Sequence, residues 1–258
     1  MAKRKIIDVW EAKQAEKLVE PEKKIKYKSI TGQNLHQKEY IKSILSKRTT
    51  IGIGYAGVGK TFIAVALGIQ GVLNGQFDKI LVCRPAREAI GEELGFLPGD
   101  FKMKINPFLM PIWDAIDDII ENPEDAKKFK SERIDIVTFA HMRGRSFKHR
   151  FVIADELQNA TEKQLDMLIT RMGEGAKYVL NGDPTQSDLP EHHQGALLEI
   201  ARIVASSENY GIVNFEKSDI VRDKAVEEYL NLKEQYYKPR RLEDRFYGYM
   251  DRDEMGGW

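Results

Sequence analysis

The chain has 258 residues, enough for one large domain with its own core. Lys plus Arg and Asp plus Glu both number 40, so a uniformly basic coat is excluded and any polyanion would have to meet a local patch. Cys83 is the only cysteine, which rules out an intrachain disulfide framework and a cysteine-based zinc site; no apolar run approaches the roughly 20 residues that cross a bilayer, and no apolar signal-peptide core follows the basic start, so a cytoplasmic protein without a membrane partner is expected.

Residues 1–30 are rich in Lys and Glu and read as a charged arm. The patterned core runs from 31 to 232. Apolar strand-like runs recur at 50–54, 79–83, 134–139, 151–154, 178–181 and 212–215. They are continuous rather than alternating, as strands buried on both faces should be. Segments 35–46, 60–73, 161–172 and 195–204 place apolar residues three and four apart and predict helices. Thr161 and Gln164 have capping-box spacing. This alternation predicts an α/β fold with a mainly parallel sheet sandwiched by helices. The stretch of about 100–131 looks helical and reads as an insertion or lid, with Pro107, Pro111 and Pro123 expected to break it into pieces. The tail, 233–258, mixes aromatic and basic residues: Tyr236, Tyr237, Lys238, Arg240, Arg241, Arg245, Phe246, Tyr247, Tyr249 and Trp258.

Three motifs carry chemistry. Gly54-Tyr55-Ala56-Gly57-Val58-Gly59-Lys60-Thr61 follows a strand and opens a helix, the context a phosphate-binding P-loop requires. Glycines let backbone N–H groups curl around phosphates, and the helix N-terminus adds a positive dipole end. Lys60 would reach the β- and γ-phosphates, and Thr61 would ligate Mg2+. Phe62 extends the nucleotide-contacting set. The run ending in Asp155-Glu156 supplies two carboxylates, Asp155 for the metal and Glu156 to orient or deprotonate an attacking water. Asn181-Gly-Asp183-Pro-Thr-Gln186 follows a third apolar run, and the Gln186 amide can donate and accept as a γ-phosphate sensor. Without its partners the last motif reads more readily as an Asp-Pro turn with no chemistry.

These segments resemble motifs I, II and III of superfamily 1 helicases, and more closely the PhoH-like ATPase family. Arg84-Pro-Ala-Arg87 through Asp100 resembles the segment after that family's second core strand, and His141-Met-Arg143-Gly144-Arg145 resembles its MRGR loop. Thr170-Arg171-Met-Gly173 and Asp219-Ile-Val-Arg222 also match. The resemblance covers about 31–232. It implies a RecA-like P-loop core binding ATP and Mg2+, with helicase-like action on single-stranded RNA or DNA. Arg222 departs from the pattern, because Asp223-Lys224 follow it where the family usually has His-Pro.

Further candidates rest on chemistry and resemblance together. Gln37, upstream of the P-loop, stands where helicases place an adenine-reading glutamine; on a surface helix it would do nothing. Arg143, Arg145 and Lys148 form a local basic patch for nucleic acid, or a solvated loop. Arg84 and Arg87 follow a strand end and read as nucleic-acid contacts, or as ion pairs with Glu88 or Glu92. Arg171, with Arg222 as competitor, could supply the arginine that completes the site. A one-core enzyme lacks a second lobe, so a homo-oligomer, with a hexameric ring as one form, is the natural substitute. His192, His193 and Cys83 read as structural. The expected function is ATP hydrolysis coupled to nucleic-acid binding or remodelling; a regulatory or assembly ATPase and a phosphotransferase are the alternatives.

Overall fold

The computed structural model describes residues 24–85, 101–190 and 195–221, together with five helical positions beyond them, Ala225, Glu228, Tyr229, Leu232 and Tyr236. Arg87, His192, His193, Arg222 and nearly all of the tail lie outside the described residues. Among the described residues, six strands form one sheet: β1 (Thr49–Ile53), β2 (Lys79–Arg84), β3 (Ile134–Thr138), β4 (Arg150–Ala154), β5 (Lys177–Gly182) and β6 (Tyr210–Asn214). Their order is β3-β2-β4-β5-β1-β6, and every pairing is parallel. All six expected strands are present, within two residues at each end.

The continuous apolar runs are explained by burial on both faces. Ile80, Val82, Phe151, Ile153 and Val179 enter one core, while Leu81, Cys83, Val152, Ala154 and Leu180 enter the other. Four helices, α1 (Leu35–Ser46), α2 (Lys60–Leu73), α3 (Phe101–Ile119) and α4 (Pro123–Arg133), contribute to the first core. The second is covered by α5 (Glu162–Ile169) and α6 (Ala196–Val204). The Thr161–Gln164 capping box forms at the start of α5. The fold is therefore α/β, a parallel sheet sandwiched by helices.

One expectation fails. Pro107 and Pro111 do not break the stretch that links β2 to β3; α3 is helical through both, and only Pro123 marks a boundary, at the first turn of α4. A proline inside a helix costs about 3 kcal/mol. Leu109, Ile112, Ile116 and Ile119 are each no more than 2% exposed, and burying each contributes about 1.5–3 kcal/mol. Packing along α2 thus outweighs the proline cost, and α3 forms part of the layer over the sheet. The end of the charged arm is docked too. Lys28 N–H donates to Ile119 O (2.8 Å), Glu121 N–H donates to Lys26 O (3.1 Å), and Ile25, Tyr27 and Ile30 pack on the first core.

Candidate nucleotide site

The order of the sheet decides what meets at its C-terminal edge. β5 lies between β1, which feeds the P-loop, and β4, which feeds Asp155 and Glu156. The residues after β5 therefore fall between the two motifs. Ligands of open parallel sheets bind at this edge. A cavity of about 460 Å³ opens there, lined by the P-loop, Arg84, Asp155, Glu156, Gln158, Asp183 and Gln186.

The P-loop is held from several directions. Gly54 has φ 140°, and a Cβ there would stand 2.5 Å from Phe215 O, so only glycine lets this segment under the loop. Gly59 has φ 86° at the N-cap of α2. Gln37 is buried behind the loop: its Nε2 donates to Val58 O (3.0 Å), and its Oε1 accepts from Gln33 N–H (2.8 Å). Val221 N–H donates to Gly57 O (3.0 Å). Gln37 therefore braces the loop, and it is not among the residues lining the cavity.

Lys60 is 8% exposed and donates to Gly54 O (2.6 Å) and Tyr55 O (2.7 Å). Burial pushes its pKa below the ordinary lysine range, while Asp155, then Asp183 and Glu156, push it back up. Thr61 Oγ1 donates to Asp155 Oδ2 at 2.8 Å. These are hard oxygen donors one hydrogen bond apart at the mouth of a phosphate-binding loop. Mg2+ favours such a set, taking one or two protein oxygens and completing its shell with phosphates and water. The residues fit the ion.

Glu156 occupies the left-handed region at φ 60°, ψ 32°, which costs a non-glycine residue about 1–2 kcal/mol. Its carboxylate is held by Gln158, whose Nε2 donates to Glu156 Oε2 (2.7 Å) and whose Oε1 accepts from Asp183 N–H (3.0 Å). Asp183 reaches the P-loop in turn: its Oδ2 accepts from Ala56 N–H (2.9 Å) and Gln186 Nε2 (2.9 Å). Gln158 and Asp183 carry these links; the sequence assigns neither a role, although Asp183 stands inside the Asn181–Gln186 motif and Gln158 lies two residues past Glu156. Pro111, Asp114, Ala115 and Asp118 of α3 also line the cavity; nothing in the spacing placed them there.

The arginines divide differently from expectation. Arg84 ends β2 beside β4 and turns into the cavity, where Nη2 meets Asp155 Oδ2 at 2.8 Å. Its carboxylate partner is Asp155, where the sequence offered a nucleic-acid contact or an ion pair with Glu88 or Glu92. Arg143, Arg145 and Lys148 are exposed on the β3–β4 loop. That loop is anchored by buried Phe147, whose N–H donates to Arg171 O (3.0 Å) and whose O accepts from Gly173 N–H (3.0 Å). Arg145 stacks over the Phe147 ring at 5.2 Å. Arg171 thus lies with the basic loop and does not line the cavity of its own chain.

A family model described as PhoH-like protein matches residues 29–234. The chain belongs to the PhoH-like family. It is 40% identical over 198 residues to a PhoH-like protein of Synechocystis sp., covering 77% of this chain and 60% of that one. A PhoH-like protein of Bacillus subtilis is 36% identical over 226 residues, covering 88% and 70%. Protein PhoH of Escherichia coli is 38% identical over 195 residues, covering 75% and 55%. The chain thus spans 55–70% of the length of these relatives. A solved Sulfolobus solfataricus SWI2/SNF2 ATPase core in complex with dsDNA superposes with a TM-score of 0.44 at 15% identity, covering 79% of this chain and 49% of that one. No helix among the described residues is long and apolar enough to cross a membrane.

Proposed function

We propose that this PhoH-like chain is an Mg2+-dependent ATP hydrolase that couples turnover to binding or remodelling of single-stranded RNA or DNA. The observation that carries the reading is the convergence of Lys60, Thr61, Asp155 and Glu156 on one cavity at the sheet's C-terminal edge. Lys60 and the P-loop amides would bind the β- and γ-phosphates, and Thr61 and Asp155 would hold Mg2+. Bound Mg2+ would neutralise phosphate charge as it develops. Glu156, set by Gln158, would orient or deprotonate the attacking water, and Gln186 would contact the γ-phosphate. Gln37, through Val58, would tie the base end of the nucleotide to loop geometry.

Nucleic-acid coupling is supported by the exposed Arg143, Arg145 and Lys148, rigidly backed by Phe147, with Arg87 as a further candidate. The cavity lacks an arginine finger from Arg171 of its own chain, so a homo-oligomer, in the ring form a hexamer, would let a neighbour's Arg171 or Arg222 complete it. The deciding experiment measures ATP turnover with and without RNA and DNA single strands, alongside mass in solution. Stimulation by a strand and a mass several times 29.6 kDa are expected. Turnover indifferent to both polymers would favour an assembly ATPase, and turnover that requires a phosphate acceptor would favour a phosphotransferase.

A further inference from the structure

Arg84 is the last residue of β2, and the neighbouring strand β4 leads directly into Asp155 and Glu156. Its guanidinium Nη2 lies 2.8 Å from Asp155 Oδ2 and 4.0 Å from Glu156 Oε1. The Arg84 side chain is 16% exposed and that of Asp155 6%, so salt screens the pair little. The same Oδ2 accepts the Thr61 hydroxyl. Lys60, on the same cavity wall, directs its ammonium at the Gly54 and Tyr55 carbonyls instead. Arg84 thus sits on the same carboxylate oxygen that meets Thr61, beside the position that a divalent cation held by Thr61 and Asp155 would take. Two cations cannot occupy one buried oxygen without strong repulsion.

We propose that Arg84 is a built-in counter-ion that holds Asp155 until Mg2+ arrives with the nucleotide, then yields the carboxylate and turns to the terminal phosphate. The inference deepens the ATP-hydrolase reading and rests on it. The anchor of Arg84 at a strand end keeps a displaced guanidinium within the cavity. A terminal phosphate presents concentrated negative charge in a geometry that the planar fork matches bidentately. The exchange leaves no charge uncompensated: the dication replaces the guanidinium at Asp155, and the freed arginine meets the anionic phosphate that enters with the metal. Arg84 is then a positioning residue for the metal and a discriminator between nucleoside triphosphate and diphosphate.

Two quantities follow, and neither is turnover. Without Arg84, Mg2+ no longer competes for Asp155, so less of it should support diphosphate binding. Without Arg84, the terminal phosphate also loses a partner, so the preference for triphosphate should shrink. The experiment titrates Mg2+ against fluorescent ADP and ATP analogues, using the full chain and Arg84→Ala. The half-saturating Mg2+ for the ADP analogue should fall about 5-fold or more, the usual scale of coupling between two ligands. The ATP-to-ADP affinity ratio should fall about tenfold, the scale of one hydrogen bond to a charged group. If either quantity stays within about twofold of the unaltered chain, the proposal is overturned. Arg84→Gln, which keeps length and polarity without charge, takes the place of Arg84→Ala if that variant shows no cooperative melt. An unaltered chain that binds neither analogue at any Mg2+ concentration overturns the ATP-hydrolase reading itself, and Arg84's role with it. Binding with an unmoved Mg2+ requirement and an unmoved ratio overturns only the role of Arg84.

Discussion

Glu156 combines a left-handed backbone, an exposed carboxylate and a single buried amide partner in Gln158. Such strain persists only where surrounding contacts enforce it, and here they run from Glu156 through Gln158 to the Asp183 backbone. Glu156→Gln keeps the shape and removes the base, so ATP should bind and persist while turnover falls on the order of 100- to 10,000-fold; near-normal turnover in a steady-state assay would remove Glu156 from the mechanism. Gln158→Ala should leave nucleotide affinity close to normal and lower kcat by about 100-fold, because a misplaced base loses its near-attack geometry. An equal loss in affinity would instead make Gln158 a general support of the cavity. Lys60→Ala should behave oppositely to both, since its ammonium is the buried cation of the P-loop: direct binding measurements should show weakened nucleotide affinity before any effect on chemistry.

At the scale of elements, α3 and the β3–β4 loop are informative. Pro111 lies inside α3, and the residue whose carbonyl its missing N–H would have met is Pro107, four positions earlier. Tertiary packing of Leu109, Ile112 and Ile116 holds the helix regardless. Pro111→Ala should therefore raise stability, by about 1–3 kcal/mol, seen as a higher thermal midpoint; a lower midpoint would mean that the proline ring packs better than the restored hydrogen bond compensates. The basic loop makes a different demand. Phosphate contacts release counterions, so affinity for a single strand should fall steeply with salt. Replacing Arg143, Arg145 and Lys148 together with Ala should flatten that slope with little change in basal turnover. An unchanged slope would return the loop to a solvated role.

For the molecule as a whole, the P-loop is braced by both ends of the described core. Gln37 of α1 supports it from upstream, and Phe215 and Val221 support it from downstream. What no element of the described chain brings to the cavity is a second lobe, and Arg171 stands with the basic loop instead. In an oligomer, Arg171→Ala chains mixed with Lys60→Ala chains should regain partial turnover at shared interfaces, once subunit exchange has been shown by a mass shift. No recovery at any ratio would eliminate a trans role for Arg171, and the same mixture with Arg222→Ala would then test the other arginine.

The sequence by itself determined the features whose causes are local. Four doubly buried inner strands and two edge strands, the glycines of the P-loop, the Thr161 cap, and Asp155-Glu156 at a strand end all follow from neighbours within a few residues, because backbone preference and burial pattern are written at that range. Tertiary structure alone decided the rest. Inserting β5 between β1 and β4 places Asp183 between the P-loop and Gln158, which in turn holds Glu156. Pairing β2 with β4 turns Arg84 onto Asp155 rather than outward. The packing of α3 on α2 carries the helix through two prolines and puts Asp114 and Asp118 on the cavity wall. Each of these depends on contacts between segments far apart in the chain, where buried area and charge pairing outweigh local propensity and leave no periodic mark in the residues themselves.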